Sequence, residues 1–165
     1  MIVEKLEELC LSDYVKKGRV LCFDYGDKRI GVAISDINWM IASPFKIFPS
    51  HGIFNHIFEV FTEYAIKLIV VGMPKTLKGE KGGAQLEKIQ KFVAKLNDLI
   101  TEKGLDIKII YWDERFSSVA ANRYLEEAEM NLSKRKQNLD KVAASFILDG
   151  FLRYAEFSNT PPVAY

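Results

Sequence analysis

Runs of apolar residues predict that the chain contains two buried strands joined by a short turn. Apolar side chains fill 20–23 and 30–34, and Gly26 in the connection is typical of a tight turn. A third strand is expected at 44–48, which would complete an antiparallel meander. Asp24 directly follows the first strand, so a rigid element holds its carboxylate. Such a carboxylate can bind a metal ion or lie beneath the phosphates of a nucleotide, and an ordinary turn cap is the alternative.

Helical and extended patterns alternate along the rest of the chain. Residues 2–11 predict an amphipathic helix, apolar residues at helical spacing predict another within 51–66, and the aliphatic run at 67–71 predicts a buried strand. The later expectations are a polar, glycine-rich loop at 73–83, a helix at 84–103, a strand at 107–111, a helix from Ser117 to about 128, a basic connection at 129–139 and a last helix at 140–154. This order predicts an α/β fold with a five-stranded mixed sheet flanked by helices.

Length and composition indicate one domain. The chain has 165 residues, of which 48% are hydrophobic, which is enough for a single core. We expect an N-terminal helical extension at 1–19, the domain itself at 20–155 and a flexible tail at 156–165. The N-terminal segment mixes acidic with apolar residues and has no long apolar run, so neither a signal peptide nor a membrane span is expected.

Charge and cysteine content narrow the chemistry. The formal net charge is only +1, so nucleic-acid binding would depend on local clusters of Lys and Arg. Cys10 and Cys22 belong to no metal-binding pattern, which argues against a structural zinc site and favours reduced thiols in the cytoplasm.

Acidic residues recur where the predicted elements end. Asp24 follows the first strand, Asp113 and Glu114 follow the fifth, and Asp140 begins the last helix. If the first and fifth strands are parallel, these positions lie at one edge of the sheet. Two carboxylates 4 Å apart repel by about 4 kcal/mol at a protein-like dielectric constant, and a divalent cation removes that conflict. Mg²⁺ or Mn²⁺ is therefore the expected cofactor, since either ion can activate water for phosphodiester hydrolysis.

Four longer segments are together far more specific than any one of these motifs. They are FDYGDKRIGVAISD at 23–36, IVVGMPKTLKGEKGGAQ at 69–85, DERFSSVAANRYL at 113–125 and LDKVAASFILDGFL at 139–152. With them the chain resembles the YqgF family, also called RuvX, of RNase H-like proteins related to the RuvC Holliday-junction resolvases. The resemblance implies an RNase H-like nuclease domain and a role in maturing the precursor of 16S rRNA, with junction resolution as an older proposal.

The resemblance also implies where the acidic site lies. It assigns the site to Asp24, to the DER segment at 113–115 and to Asp140. The family usually has Thr where this chain has Asp27. We therefore take Asp27 as a group beside the ligands and not as a ligand itself.

Basic residues near the acidic positions predict contacts with a phosphate backbone. The candidate substrate-binding residues are Lys28, Arg29, Lys75, Lys78, Lys81, Arg115, Lys134, Arg135 and Lys136. For the lysines of the glycine-rich loop, simple solvation is the alternative. For Arg115 the alternative is a bidentate salt bridge to its neighbouring carboxylates.

Our first hypothesis is a metal-dependent endonuclease acting on structured RNA. Asp24, Glu114 and Asp140 are the expected metal ligands. Glu114 is preferred to Asp113 because it is longer and because adjacent residues of an extended chain point to opposite sides.

Three alternatives stay open. They are a DNA nuclease acting on branched junctions, a nucleotide-binding domain of the actin and sugar-kinase type, and a catalytically weak nucleic-acid-binding factor in ribosome assembly. The second is disfavoured because a single domain lacks the half that closes over ATP. The expected nucleic-acid partner is structured RNA or branched DNA. Two kinds of protein partner are left open: a second copy of this chain in a homodimer, and ribosome-assembly or transcription factors.

Overall fold

The computed structural model describes the backbone of residues 2–3, 17–73, 80–113 and 132–159. Within the last two ranges, it describes only the side chains of residues 83–113 and 142–156. The strands are β1 (Ile2–Val3), β2 (Arg19–Tyr25), β3 (Arg29–Ser35), β4 (Ala42–Pro49), β5 (Ile66–Met73) and β6 (Lys108–Asp113). The helices are α1 (Ile57–Glu63), α2 (Glu80–Glu102) and α3 (Leu132–Asn159), with a short 3₁₀ helix at Ile53–Asn55 before α1.

Within the described residues the six strands form one mixed sheet in the order β1-β6-β5-β2-β3-β4. β2, β3 and β4 are antiparallel, which confirms the predicted meander. β1 pairs in parallel with β6, β6 with β5, and β5 with β2. The predicted α/β fold with five mixed strands flanked by helices is confirmed, and it agrees with an RNase H-like fold. β1 adds a two-residue strand at the edge.

Alternate side chains of β2 pack against different helical layers. Val20 and Cys22 belong to a core cluster with α3, whereas Leu21 and Phe23 belong to a cluster with α1 and α2. The apolar residues of α3 recur at helical spacing, as Ala144, Ile147, Leu148, Phe151, Leu152 and Ala155. Because both faces of β2 are buried, the strand is a nearly continuous apolar run.

The N-terminal helix prediction is wrong at its first residues. Ile2–Val3 is a strand whose residues pair with Ile109 and Ile110 of β6. Pairing with the edge of β6 satisfies backbone groups that a helix would have satisfied internally, and β-branched residues favour the extended form. Residues 4–16 of the predicted extension lie outside the described residues.

The helix predicted within 51–66 is shorter than its apolar pattern suggests. Its α-helical part covers only Ile57–Glu63, and the chain then enters a left-handed conformation at Ala65, where φ is 50°. The carbonyl of Ala65 accepts a hydrogen bond from the backbone N–H of Arg19 at 3.0 Å. The end of the helix is therefore tied to the start of β2, and β5 begins at the next residue.

The two long helices begin earlier than predicted. α2 begins at Glu80 instead of about 84, and α3 begins at Leu132 instead of 140. The segment before Asp140 is rich in Lys, Arg, Gln and Leu, which have high helix propensity, so it continues the helix instead of forming a connection. The rest of the predicted glycine-rich loop, at 74–79, and the helix predicted from Ser117 lie outside the described residues.

The predicted domain bounds of 1–19, 20–155 and 156–165 stay a prediction, although α3 continues to Asn159 and so includes the start of the predicted tail. None of the helices in the part of the chain that the structure describes combines the length and the apolarity needed to cross a bilayer.

Candidate active site

The carboxyl ends of β2 and β6 lie at the same edge of the sheet, on either side of β5. Phe23 of β2 pairs with Val71 of β5, and Asp113 of β6 pairs with Met73 of β5. Asp24 follows Phe23, so Asp24 and Asp113 differ by about one residue in height along the sheet. The predicted parallel relation of these two strands is confirmed, and with it the placement of both acids at one edge.

The two acids nevertheless belong to opposite faces of the sheet. Asp24 alternates in step with Val20 and Cys22, which pack toward α3. Asp113 alternates in step with Ile109 and Tyr111, which pack with the α1 and α2 layer. This separation supports the prediction that Asp113 is not the residue that binds a metal ion together with Asp24. Glu114, the preferred ligand, lies outside the described residues.

Helix α3 carries Asp140 and the predicted basic cluster. Position 140 lies one helical turn before Ala144, which packs against the same face of the sheet as Asp24. Residues 134–136 are helical, so the prediction of a basic connection there is wrong. The side chains of these positions lie outside the described set, and their roles stay predictions.

A polar cavity of about 200 Å³ opens beside Asp24. Its lining residues are Asp24, Tyr25, Gly26, Lys28, Arg29 and Gly31. Lys28 and Arg29 are exposed at its rim, so the structure brings together the predicted acid and two of the predicted phosphate-binding residues. A small, open, polar site of this kind suits a phosphate group better than an apolar ligand.

The turn has no room for a side chain at Gly26. A Cβ atom at this position would lie 2.6 Å from the carbonyl oxygen of Arg29, closer than packed atoms tolerate. Among the described residues a positive φ occurs at Trp39, Ala65 and Gly104, so Gly26 is not in the left-handed region. The tight turn predicted at Gly26 is present, and the close approach of the turn to Arg29 explains why the residue is glycine.

Helix α2 contacts the same turn from the side. The Lys88 ammonium donates a hydrogen bond to Oδ2 of Asp27 at 2.8 Å, and Nε2 of Gln85 donates to the carbonyl oxygen of Tyr25 at 3.4 Å. The bond to Asp27 raises the pKa of Lys88 above its ordinary value. The carboxylate of Asp27 is thus engaged by a lysine.

Sequence reasoning missed Lys88 and Gln85. The signal available was their spacing, since positions 85, 88 and 92 share one face of a helix. Phe92 is buried there and its ring lies 5.2 Å from that of Tyr25. The spacing does not reveal what this helix face contacts, because that depends on how α2 packs on the sheet.

The other predicted substrate-binding residues lie outside the described side chains, and their roles stay predictions. They are Lys75, Lys78, Lys81, Arg115, Lys134, Arg135 and Lys136. Within the described side chains no group of three or more His, Cys, Asp or Glu could hold a metal ion. Two of the three predicted ligands, Glu114 and Asp140, lie outside the described side chains.

Comparison with known proteins agrees with the family resemblance. A sequence profile of the RuvX family, described as Holliday junction resolvase, matches residues 18–154. The chain belongs to the RuvX family. A relative from Acetivibrio thermocellus is 41% identical over 138 residues, which cover 81% of this chain and 94% of that protein. Relatives from Halothermothrix orenii and Desulforamulus reducens are 41% and 39% identical, covering 82% and 81% of this chain and 95% and 96% of those proteins. All three are named as proposed pre-16S rRNA nucleases.

Proposed function

We propose that this RuvX protein is a metal-dependent endonuclease that hydrolyses phosphodiester bonds in the precursor of 16S rRNA. The observation that carries the proposal is Asp24, held at the end of a buried parallel strand beside a polar cavity whose rim bears Lys28 and Arg29. Family membership and the names of the relatives support the same activity. The proposed compartment is the cytoplasm. A homodimer and ribosome-assembly or transcription factors stay predictions.

Asp24 fits a hard divalent cation. It offers carboxylate oxygens in a polar, half-open position, and Mg²⁺ is commonly held by one or two carboxylates together with substrate phosphates. We assign Asp24, Glu114 and Asp140 as the residues that would hold Mg²⁺ or Mn²⁺. When bound, the ion would activate water and neutralise charge on the phosphate.

Residues of the turn orient the substrate. The cations of Lys28 and Arg29 attract the phosphate backbone, and the Arg29 guanidinium can bind two phosphate oxygens at once. Gly26 keeps the turn close to Arg29, so these cations stay beside Asp24. The chain thereby positions the scissile phosphate against the acidic edge.

Two alternatives remain for the substrate and for the activity. The family description favours a branched DNA junction as the second substrate candidate. A nucleic-acid-binding factor with little catalytic activity is the candidate in which the acids hold metal weakly.

Cleavage assays test the proposal. The substrates are a 16S rRNA precursor fragment and a four-way DNA junction, and each is assayed with Mg²⁺, with Mn²⁺ and with chelator. The wild-type protein should cleave the RNA only with metal. Loss of a group that only supports a metal ligand costs roughly 10- to 100-fold in activity. Asp24→Asn should reduce the rate by more than this, because it removes a ligating charge and almost no volume.

Asp98→Asn, the same change on the exposed surface of α2, is the matched control and should cleave at the wild-type rate. Cleavage by Asp24→Asn at the wild-type rate would show that the metal role is wrong. Preference for the junction would reassign the substrate, and binding without cleavage of either would favour the assembly factor.

A further inference from the structure

We propose that Asp27 and Lys88 form a positioning ion pair that holds the turn between β2 and β3 against helix α2 and so fixes the backbone that carries Asp24. The inference rests on the proposed nuclease function. The two residues are 61 positions apart, and Nζ of Lys88 lies 2.8 Å from Oδ2 of Asp27. Neither residue is placed among the ligands or the phosphate-binding residues of the site.

The turn is held from two sides. On the α2 side, the Asp27–Lys88 pair is reinforced by the hydrogen bond from Gln85 to the carbonyl oxygen of Tyr25. On the β4 side, Oγ of Ser50 donates to the carbonyl oxygen of Asp27 at 2.6 Å, and the N–H of Ser50 donates to that of Lys28 at 3.2 Å. The contacts converge on residues 25–28, immediately after Asp24.

The ion pair is too exposed to be mainly a stabilising contact. The side chains of Lys88 and Asp27 are 48% and 55% exposed, and pairs of this kind contribute little to global stability. Its effect is instead local, because small displacements of a reacting group lower the rate steeply. Asp27 and Lys88 thus act through Asp24, as positioning residues.

A competing role for Lys88 is direct phosphate binding, with Asp27 only shielding it in the absence of RNA. The two roles differ in what a charge exchange does. If pairing is what matters, Asp27→Lys with Lys88→Asp restores the contact. If Lys88 binds phosphate, an aspartate at position 88 repels the RNA.

Four proteins are compared with the wild type: Asp27→Asn, Lys88→Met, the double exchange, and Lys91→Met as the matched control. Lys91 is on the same helix, is exposed and pairs with Glu87 at 2.6 Å, within α2 itself. Single-turnover cleavage at saturating RNA and the Kd for RNA are measured separately for these four variants and for a fifth, Asp24→Asn, which tests the proposed function.

We expect Asp27→Asn and Lys88→Met each to lower the single-turnover rate roughly tenfold, less than the hundredfold that a 1 Å misplacement can cost. The Kd should change less than about twofold, because in this proposal neither residue contacts a phosphate of the RNA. The double exchange should recover most of the rate, and Lys91→Met should match the wild type. A raised Kd in Lys88→Met that the exchange worsens would overturn positioning in favour of phosphate binding.

Amide hydrogen exchange of residues 25–29 provides a readout that does not depend on cleavage. It should become faster in both single variants, return toward the wild-type rate in the double exchange and stay unchanged in Lys91→Met. Unchanged exchange in Asp27→Asn and Lys88→Met would overturn the inference whatever the activity. If Asp24→Asn cleaves normally while exchange responds as expected, the proposed function fails and the positioning pair stands.

Discussion

At the scale of single residues, Asp36 shapes the loop between β3 and β4. Its carboxylate accepts hydrogen bonds from the backbone N–H groups of Met40 at 2.7 Å, Ile41 at 2.8 Å and Asn38 at 3.1 Å. Partial burial acts to raise the pKa of Asp36, but these three N–H donors and the backbone N–H of Asp36 itself together lower it below its ordinary value. Within this loop Trp39 has a φ of 60° and donates from its indole to the carbonyl oxygen of Gly18 at 2.9 Å.

The lowered pKa predicts an acid dependence of stability. A carboxylate with a depressed folded-state pKa stabilises the protein above its unfolded value, 3.8, and this contribution is lost as the pH falls through the folded value. Asp36→Asn should lower the free energy of unfolding at pH 7 by about 1 kcal/mol, since solvent screens part of each bond. It should also flatten the loss of stability below pH 3.8.

Urea unfolding across a pH series measures both effects, with Asp98→Asn as an exposed carboxylate control. Equal acid slopes for Asp36→Asn and the wild type would contradict the prediction.

A second residue-scale prediction concerns Asp113, the last residue of β6, and Glu114, the next residue in the sequence. Asp113 alternates with residues that pack away from the face of Asp24. We expect Glu114→Gln to reduce Mn²⁺ affinity and the single-turnover rate about as severely as Asp24→Asn. Asp113→Asn should mainly lower stability. If Asp113→Asn loses metal and rate while Glu114→Gln keeps both, the two assignments must be exchanged.

At the scale of elements, the β2–β3 hairpin places the site. Asp24 pairs with Gly31 across the two strands, and both residues line the cavity. A side chain at Gly26 would press on the backbone of Arg29, which cannot rotate away as a flexible side chain can. Tolerance of this turn to substitution is therefore decided by packing.

Gly26→Ala should lower the free energy of unfolding by about 1–3 kcal/mol, as overpacked sites do, and should reduce cleavage because Arg29 shifts. Gly83→Ala is the control, since a Cβ there meets nothing within 4 Å and α2 should gain about 1 kcal/mol from helix propensity. Thermal unfolding and single-turnover rates are the measurements. A Gly26→Ala protein as stable and active as the wild type would mean that the turn can relax.

At the scale of the whole molecule, the net charge of +1 makes RNA affinity depend on clusters. Residues 134–136 add three positive charges to the first turns of α3, the helix that also carries Asp140. Replacing Lys134, Arg135 and Lys136 with Ala should weaken binding to unrelated RNA sequences alike. The slope of log affinity against log salt should fall by about 2 to 3, at about 0.7–0.9 for each phosphate contact.

Binding of two unrelated RNAs from low to moderate salt measures the slope. The variant with Ala at Lys91 and Lys95, both exposed on α2, controls for a general loss of positive charge. An unchanged slope in the triple variant would place its three residues on a solvated face.

Local patterns were sufficient to predict strands β2 to β6 and the fold class. β2 and β5 are buried on both faces, and such strands must be apolar throughout, so their aliphatic runs reveal them. The limits of the helices were less predictable, because Ala65 ends α1 through a contact with Arg19 and the polar start of α3 has no apolar pattern to mark it. Ile2–Val3 is extended because the edge of β6 is there to pair with.

By itself the sequence determined which residues are acidic, where five of the six described strands lie, and the family to which the four long motifs belong. The tertiary structure alone decided that the ends of β2 and β6 meet beside β5, that Asp24 and Asp113 face opposite layers, and that Lys88 reaches Asp27. The physical reason is range. Strand and helix patterns depend on neighbours within a few residues, whereas a contact across 61 positions depends on strand order, register and the packing of α2 on the sheet.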